Sequence, residues 1–179
     1  MSIVTRRFCI LLTAVMMPLL VSCSVAGPHV PSEPQIDYSV TAKTVFLQVV
    51  NAIEGRDATA LSGLFSELAL SRADNFDSSM NTLFGFFRGS VRSQGMDGEA
   101  YEYEEDAGPS QVNEIFSFYH VDTENDKYSL FMAYRVLDTT HPDGLGIYSL
   151  RVIRTVDRGE FFVRDTDMRI PGIWCAPAV

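Results

Sequence analysis

Glu114 to Asp138 reads EIFSFYHVDTENDKYSLFMAYRVLD, two alternating runs broken by Glu124-Asn125-Asp126. A period of two marks a strand whose two faces meet different surroundings. A short polar break between two such runs is a hairpin signal. If the chain turns at Asn125-Asp126, Tyr119 falls opposite Met132 and Ser117 opposite Tyr134. One face then holds Ile115, Ser117, Tyr119, Val121, Leu130, Met132, Tyr134 and Val136. The other holds Phe116, Phe118, His120, Asp122, Ser129, Phe131, Ala133 and Arg135. The first face is the less charged, so it is the one predicted to pack on the core.

Working outward, further strands are predicted at Ser90–Gln94, Glu99–Glu105, Gly146–Val156 and Phe161–Asp165, with turns at Pro142-Asp143-Gly144 and Arg158-Gly159. In the strand from Gly146, Tyr148, Leu150 and Val152 point inward and Arg151 outward. Arg154 shares the inward parity, but so near the strand end its long side chain reaches solvent. Upstream of Gly89 the period becomes that of a helix. Val45, Phe46, Val49, Val50 and Ile53 form one stripe, closed by Gly55. Asp57 is placed to cap a second helix running to about Phe65, and Ser66-Glu67 opens another turn reaching Ala73. Asp77 is read as the cap of a third helix, whose stripe is Met80, Leu83, Phe84 and Phe87. Helices followed by a run of antiparallel strands define an α+β domain.

Several local motifs fit a known pattern. They are Asp57-Ala58, Leu64-Phe65-Ser66-Glu67, Phe86-Phe87-Arg88-Gly89-Ser90 with Ser93, Tyr128, Asp138 before Pro142, Gly146-Ile147-Tyr148-Ser149-Leu150, and Pro171-Gly172-Ile173-Trp174. Together, from about Ala42 to Trp174, they resemble a family of Gram-positive lipoproteins, the domain of unknown function numbered 5104 in the NTF2-like superfamily. The resemblance implies a cone: three N-terminal helices packed on a curved antiparallel sheet, open at one end. It brings no catalytic residues, and a fold does not choose a function.

The N-terminus has its own reading. Arg6-Arg7 precede an apolar run from Phe8 to Val21, too short as a helix, at about 21 Å, for a bilayer core of about 30 Å. Such a run is a signal-peptide core. Leu20-Val21-Ser22-Cys23 resembles a lipobox, which implies cleavage before Cys23 and a lipid on its thiol. At ~0.8 kcal/mol per buried CH₂, two acyl chains anchor a protein without a basic patch. Arg6-Arg7 leave both the general and the twin-arginine export routes open. The expected divisions are a leader at 1–22, lipidated Cys23 with a Pro-rich tether at 23–37, the domain at 38–174 and a tail at 175–179. The expected address is the outer face of the cell membrane.

Composition narrows the functions. At 46% hydrophobic and 21% charged, the chain can build a core. Of 14 basic and 23 acidic residues, Arg6 and Arg7 leave with the leader, so the mature chain keeps 12 basic residues and a net charge of −11. Its basic residues are scattered singly, which argues against nucleic acid and against anionic lipid head groups. With Cys9 in the leader and Cys23 lipidated, Cys175 is left without a disulfide partner and reads as a bystander thiol. Three histidines with no CxxC and no helical His pair give no metal set, and no cofactor motif is present.

The remaining candidates are weighed by position. His120 and Asp122 have the spacing of a base and its orienting carboxylate, but they fall on the outer face and read as a solvated or interface pair. Asp57 reads as a helix cap and Asp138 as turn chemistry with His141 and Asp143. No catalytic residue is assigned. Tyr119, Tyr134 and Tyr148, with Phe84 and Phe87, are the pocket candidates: apolar rings with a few hydroxyls, suited to a small amphipathic ligand or simply to filling the core. The leading expectation is a surface-anchored, non-catalytic domain that binds a small ligand or a partner. One alternative is a small-molecule enzyme of the isomerase or dehydratase type using the cone cavity. Another is a module that homodimerises through the aromatic outer face, where Phe116, Phe118 and Phe131 gather.

Overall fold

A computed structural model describes residues 38–108, 110–159 and 167–176, within the compact unit Ile36–Val179. The leader, Cys23, the tether, the strand expected at Phe161–Asp165 and the end of the tail lie outside the described residues. The fold is α+β. Four α-helices are described where three were expected: α1 (Tyr38–Gly55), α2 (Ala58–Ser62), α3 (Glu67–Arg72) and α4 (Phe76–Phe86). Six strands follow: β1 (Val91–Met96), β2 (Tyr101–Ala107), β3 (Ser110–Thr123), β4 (Lys127–Asp138), β5 (Gly146–Arg154) and β6 (Gly172–Cys175). Helical structure is not confined to the N-terminal half, since 3-10 turns stand at Pro142–Gly144, Thr155–Asp157 and Asp167–Arg169.

The helix ends show which local signals governed. After α1, Asp57 N–H donates to Ala52 O at 2.9 Å and Arg56 N–H to Ile53 O at 3.1 Å, while Arg56 takes the left-handed φ of 51°. This is a Schellman closure with Arg56, not Gly55, in the left-handed position. Asp57 caps α2 as expected, accepting from Ala60 N–H at 2.9 Å, and Ser66 Oγ caps α3 through Ala69 N–H at 3.1 Å. Asp77 is not a cap. α4 starts two residues earlier than a cap at Asp77 requires, behind Asn75 in the left-handed region, and Asp77 sits in its first turn. There its charge still favours the positive end of the helix.

The sheet is open and curved, with order β1-β3-β4-β5-β6, and β2 pairs with β3 as well. The β3–β4 register is Tyr119↔Leu130, Ser117↔Met132 and Ile115↔Tyr134, one residue of turn away from the expected pairing. Thr123 is the reason. Its hydroxyl accepts from Asn125 and Asp126 N–H and its own N–H donates to Asp126 O, so the turn closes over Glu124-Asn125. Moving the turn by one residue shifts each pairing by two, which leaves the side chains from Ile115 to Asp122 and from Lys127 to Ala133 on their expected faces.

The closing segment was read as a motif and a tail, yet it forms β6. That strand runs parallel to β5, with Leu150↔Ile173 and Val152↔Cys175, so the sheet is not purely antiparallel. Gly172 adopts φ +94°, and a Cβ there would lie 2.7 Å from Ala73 Cβ, so only glycine lets β6 close on the end of α3.

Two apolar clusters flank the sheet. The main one joins α1, α3 and α4 to Tyr119, Val121, Tyr128, Leu130, Met132, Leu150 and Val152, the inward set. The second gathers Phe116, Phe131, Ala133 and Ile153 on the outer side, with Tyr103, Phe118 and Trp174 packed against them.

Candidate functional site

The inner wall is built on β3, β4 and β5 beneath α1 and α4. Tyr119 is 1% exposed, and its ring stacks face to face on Phe46 of α1, centroids 3.8 Å apart at 1°. Burial pushes its phenol up to about 12, opposed in part by the neighbouring Ser117 hydroxyl. The Ser117 and Tyr119 hydroxyls lie side by side within this enclosure. Both are fully enclosed.

The other pocket candidates occupy different situations. Phe84 and Phe87 are buried in the main cluster, and Phe87 stacks on Tyr128 at 4.6 Å. Tyr148 is buried as well, but the Arg135 guanidinium lies 3.8 Å over its ring, so one face of it is occupied by a cation. Tyr134 packs against the same cluster and stays partly exposed. The structure therefore brings Tyr119, Phe84, Phe87 and Tyr148 into one core and leaves Tyr134 at its rim.

At the far ends of β3 and β4 lies a charged network that alternation alone does not disclose. Arg135 Nε donates to Glu114 Oε1 at 2.5 Å and Nη1 to Asp138 Oδ2 at 3.2 Å. The Glu114 and Asp138 side chains are 5% and 1% exposed. Bulges at Asn113/Glu114 and Ala133/Tyr134 re-aim these residues, which is why a strict period of two does not find them. Asp138 Oδ1 also accepts from Thr140 and His141 N–H at 3.1 and 2.7 Å, the turn chemistry expected of it. A cleft of about 300 Å³ opens above, between Arg72, Glu105, Ser110, Thr140 and His141. Among the described residues no group of three His, Cys, Asp or Glu is placed to hold a metal ion.

On the outer face, His120 pairs with Asp97 rather than with Asp122. Its Nδ1 lies 2.6 Å from Asp97 Oδ1, with the side chains 43% and 34% exposed, while Asp122 meets Lys127 Nζ at 3.1 Å. The β1–β3 pairing, with Gly95 opposite His120, creates that contact. The outer aromatics are less available than their sequence suggests. Phe116 is 2% and Phe131 4% exposed, the first stacked under Tyr101 at 5.3 Å and the second edged by Phe118 at 5.2 Å. Arg151, outward as expected, is buried there and donates to Asp167 O and Ile170 O. Cys175 is part of β6, and burial raises its thiol to about 12 against the pull of Arg151.

The elements define an α+β domain in which helices cover one face of an open mixed sheet and no helix of the described residues is long and apolar enough to cross a membrane. The chain belongs to the family described as Domain of unknown function (DUF5104), whose model matches residues 48–155. No curated protein matches it.

Proposed function

We propose that the protein is a lipoprotein of the outer membrane face, cleaved before Cys23 and lipidated on it, whose NTF2-like domain binds a small neutral molecule against the inner wall without turning it over. The observation that carries the binding reading is Tyr134: an inner-facing ring, packed on the main cluster yet partly exposed, where the apolar wall meets solvent. Mostly apolar walls with a few placed hydroxyls are typical of small-molecule sites. The buried residues of that wall are hydrophobic apart from Asn113, Ser117 and Thr123, none of them an acid or a base for turnover. The Glu114–Arg135–Asp138 network meets this wall through the Arg135 guanidinium on the Tyr148 ring, and the His120–Asp97 pair lies on the outer face.

Two measurements test the two halves. Cys23→Ala is expected to leave an unprocessed precursor and to abolish incorporation of labelled fatty acid; equal labelling of both proteins defeats the anchor. A thermal-shift screen of neutral metabolites is expected to give compounds that raise the melting temperature of the wild type and do so less in Tyr134→Ala. A broad screen without any shift leaves the interior a closed core and ends the binding reading.

A further inference from the structure

Where β2 and β4 end and β3 begins, the cleft of about 300 Å³ carries charges of both signs. We propose that this cleft is a second site, independent of the inner wall, which binds a small zwitterion of the α-amino acid type. Arg72 and Arg135 take its carboxylate and Glu105 takes its ammonium group.

The floor of the cleft is one row across three strands. Glu105 of β2 pairs with Val112 of β3, and Val112 pairs with Asp138 of β4. Residues paired in this way leave the sheet on the same face. Glu105 therefore stands on one side of Val112 and the Asp138–Arg135 pair on the other. Arg135 is fixed from three directions: Nε donates to Glu114, Nη1 donates to Asp138, and the guanidinium lies on the Tyr148 ring. Its Nη2 has no partner among the described residues, and the side chain lines the cleft. A guanidinium held this rigidly offers its remaining N–H groups with little freedom left to lose on binding. Arg72, in the last turn of α3, brings a second guanidinium to the rim. It is exposed and pairs with no carboxylate among the described residues. Ser110 Oγ and Thr140 Oγ1, 2.9 Å apart, join the start of β3 to the loop after β4 at the same rim.

Charge selects the ligand class. Arg72, Arg135 and Arg169, the last within the field of Glu105 and Glu114, stand against Glu105, Glu114 and Asp138, so the surroundings are balanced. A bare anion would meet Glu105 and Asp138 as well as the arginines, and the chain's net charge of −9 repels it at long range. A bare cation would meet Arg72 and Arg135. A zwitterion answers both signs and adds no net charge. Asp138 is already committed to Thr140 N–H, His141 N–H and Arg135, which leaves Glu105 as the acceptor for an ammonium group. The span fits as well. β2 and β4 run two strand spacings apart, about 10 Å. An α-amino acid with one charge-assisted hydrogen bond at each end reaches about 9 Å.

The test is titration calorimetry of the full chain with L-alanine and L-glutamine, each beside its α-carboxamide and its N-acetyl form. At least one of the two amino acids is expected to bind, and both of its blocked forms to bind about tenfold more weakly. Arg72→Gln is expected to weaken the amino acid and shrink its advantage over the amide. Glu105→Gln is expected to shrink its advantage over the N-acetyl form. Both side chains are exposed, so both variants are expected to keep the melting temperature of the wild type. Absence of binding by either amino acid at millimolar concentration overturns the proposal. So do blocked forms that bind as tightly as the amino acid, or a preference that either substitution leaves intact.

Discussion

Alkaline pH probes Tyr119 directly, through a phenol that burial holds protonated. Its pKa moves from 10.0 to about 12, with desolvation as the main cause and the Ser117 hydroxyl opposing it. The folded value lies above the unfolded one. The stability contributed by the neutral phenol is therefore complete below about pH 10 and is lost as the pH climbs toward about 12. Across that window the unfolded chain has released a proton that the folded chain still holds, so unfolding becomes easier with every step. One such group changes stability by about 1.4 kcal/mol per pH unit, or about 2.7 kcal/mol over the whole interval.

Tyr119→Phe removes the titrating group and keeps the ring that stacks on Phe46. At neutral pH the variant is expected to lose about 0.5–1.5 kcal/mol, the worth of one hydroxyl contact with Ser117, because the ring and its stacking are kept. Urea unfolding of both proteins at neutral pH and again at about pH 11 should show the wild type losing about 1.4 kcal/mol more than the variant. Tyr128 and Cys175 also have raised pKa values, but both proteins carry them, so their effect cancels in the difference. Phenolate absorbance gives the independent check: one tyrosine fewer should titrate late in the variant. Equal losses in the two proteins, or a Tyr119 that ionises near 10, would refute the enclosure of this side chain.

Two further predictions concern groups outside the inner wall. Arg135→Met leaves the Glu114 and Asp138 carboxylates buried without their cation, and a urea titration should register a loss of about 3–5 kcal/mol; a change under about 1 kcal/mol would show the network to be solvated. Cys175, with its thiol raised from 9.0 to about 12 by burial, should react with a disulfide reagent about 10³-fold more slowly in the native protein than after unfolding, and a native rate matching a free thiol would contradict its place in β6.

The parts of this fold legible in the sequence are those that depend on near neighbours. The hairpin quoted at the outset alternates strictly because one face meets the helices and the other does not, and β4 has the bounds its pattern predicts. The misreadings are side-chain and non-local effects. Thr123 recruits the turn one residue early by accepting two backbone N–H bonds, a choice that alternation does not encode. Arg56 takes the left-handed position beside an available Gly55, because Asp57 is committed to capping α2. β6 has four residues, too few to show a period, and its pairing with β5 is set by a crossover rather than by a turn. The Glu114–Arg135–Asp138 network needs two bulges, each of which resets the parity on which facing arguments depend. In the sequence Ser117 is simply a member of the less charged face. Its place beside the Tyr119 hydroxyl becomes visible only when the register and the cover from α1 are known.

Several motifs that carry the family resemblance join helix ends to strands. Phe86 O accepts from the Tyr128 hydroxyl, which in turn accepts from Arg88 N–H, while Thr123 Oγ1 donates to Arg88 O; this joins the end of α4 to β3 and β4. Ser66 N–H donates to Ile147 O and Ile147 N–H to Leu64 O, fastening the segment before α3 to β5, where Gly146 at φ +126° lets the backbones approach. Gly172 makes room for Ala73 at the next joint along the sheet. Each of these motifs sits where a helix end meets a strand, and each is satisfied by backbone geometry that a substitution would break. Ser117, Tyr119 and Tyr134 belong to none of them. These backbone joints hold helix ends to the sheet, and Ser117 and Tyr134 lie outside them. Relatives that keep the joints but exchange the side chains at 117, 119 and 134 should share this fold and bind different molecules, and swapping those three positions between two such relatives should carry the ligand preference with them.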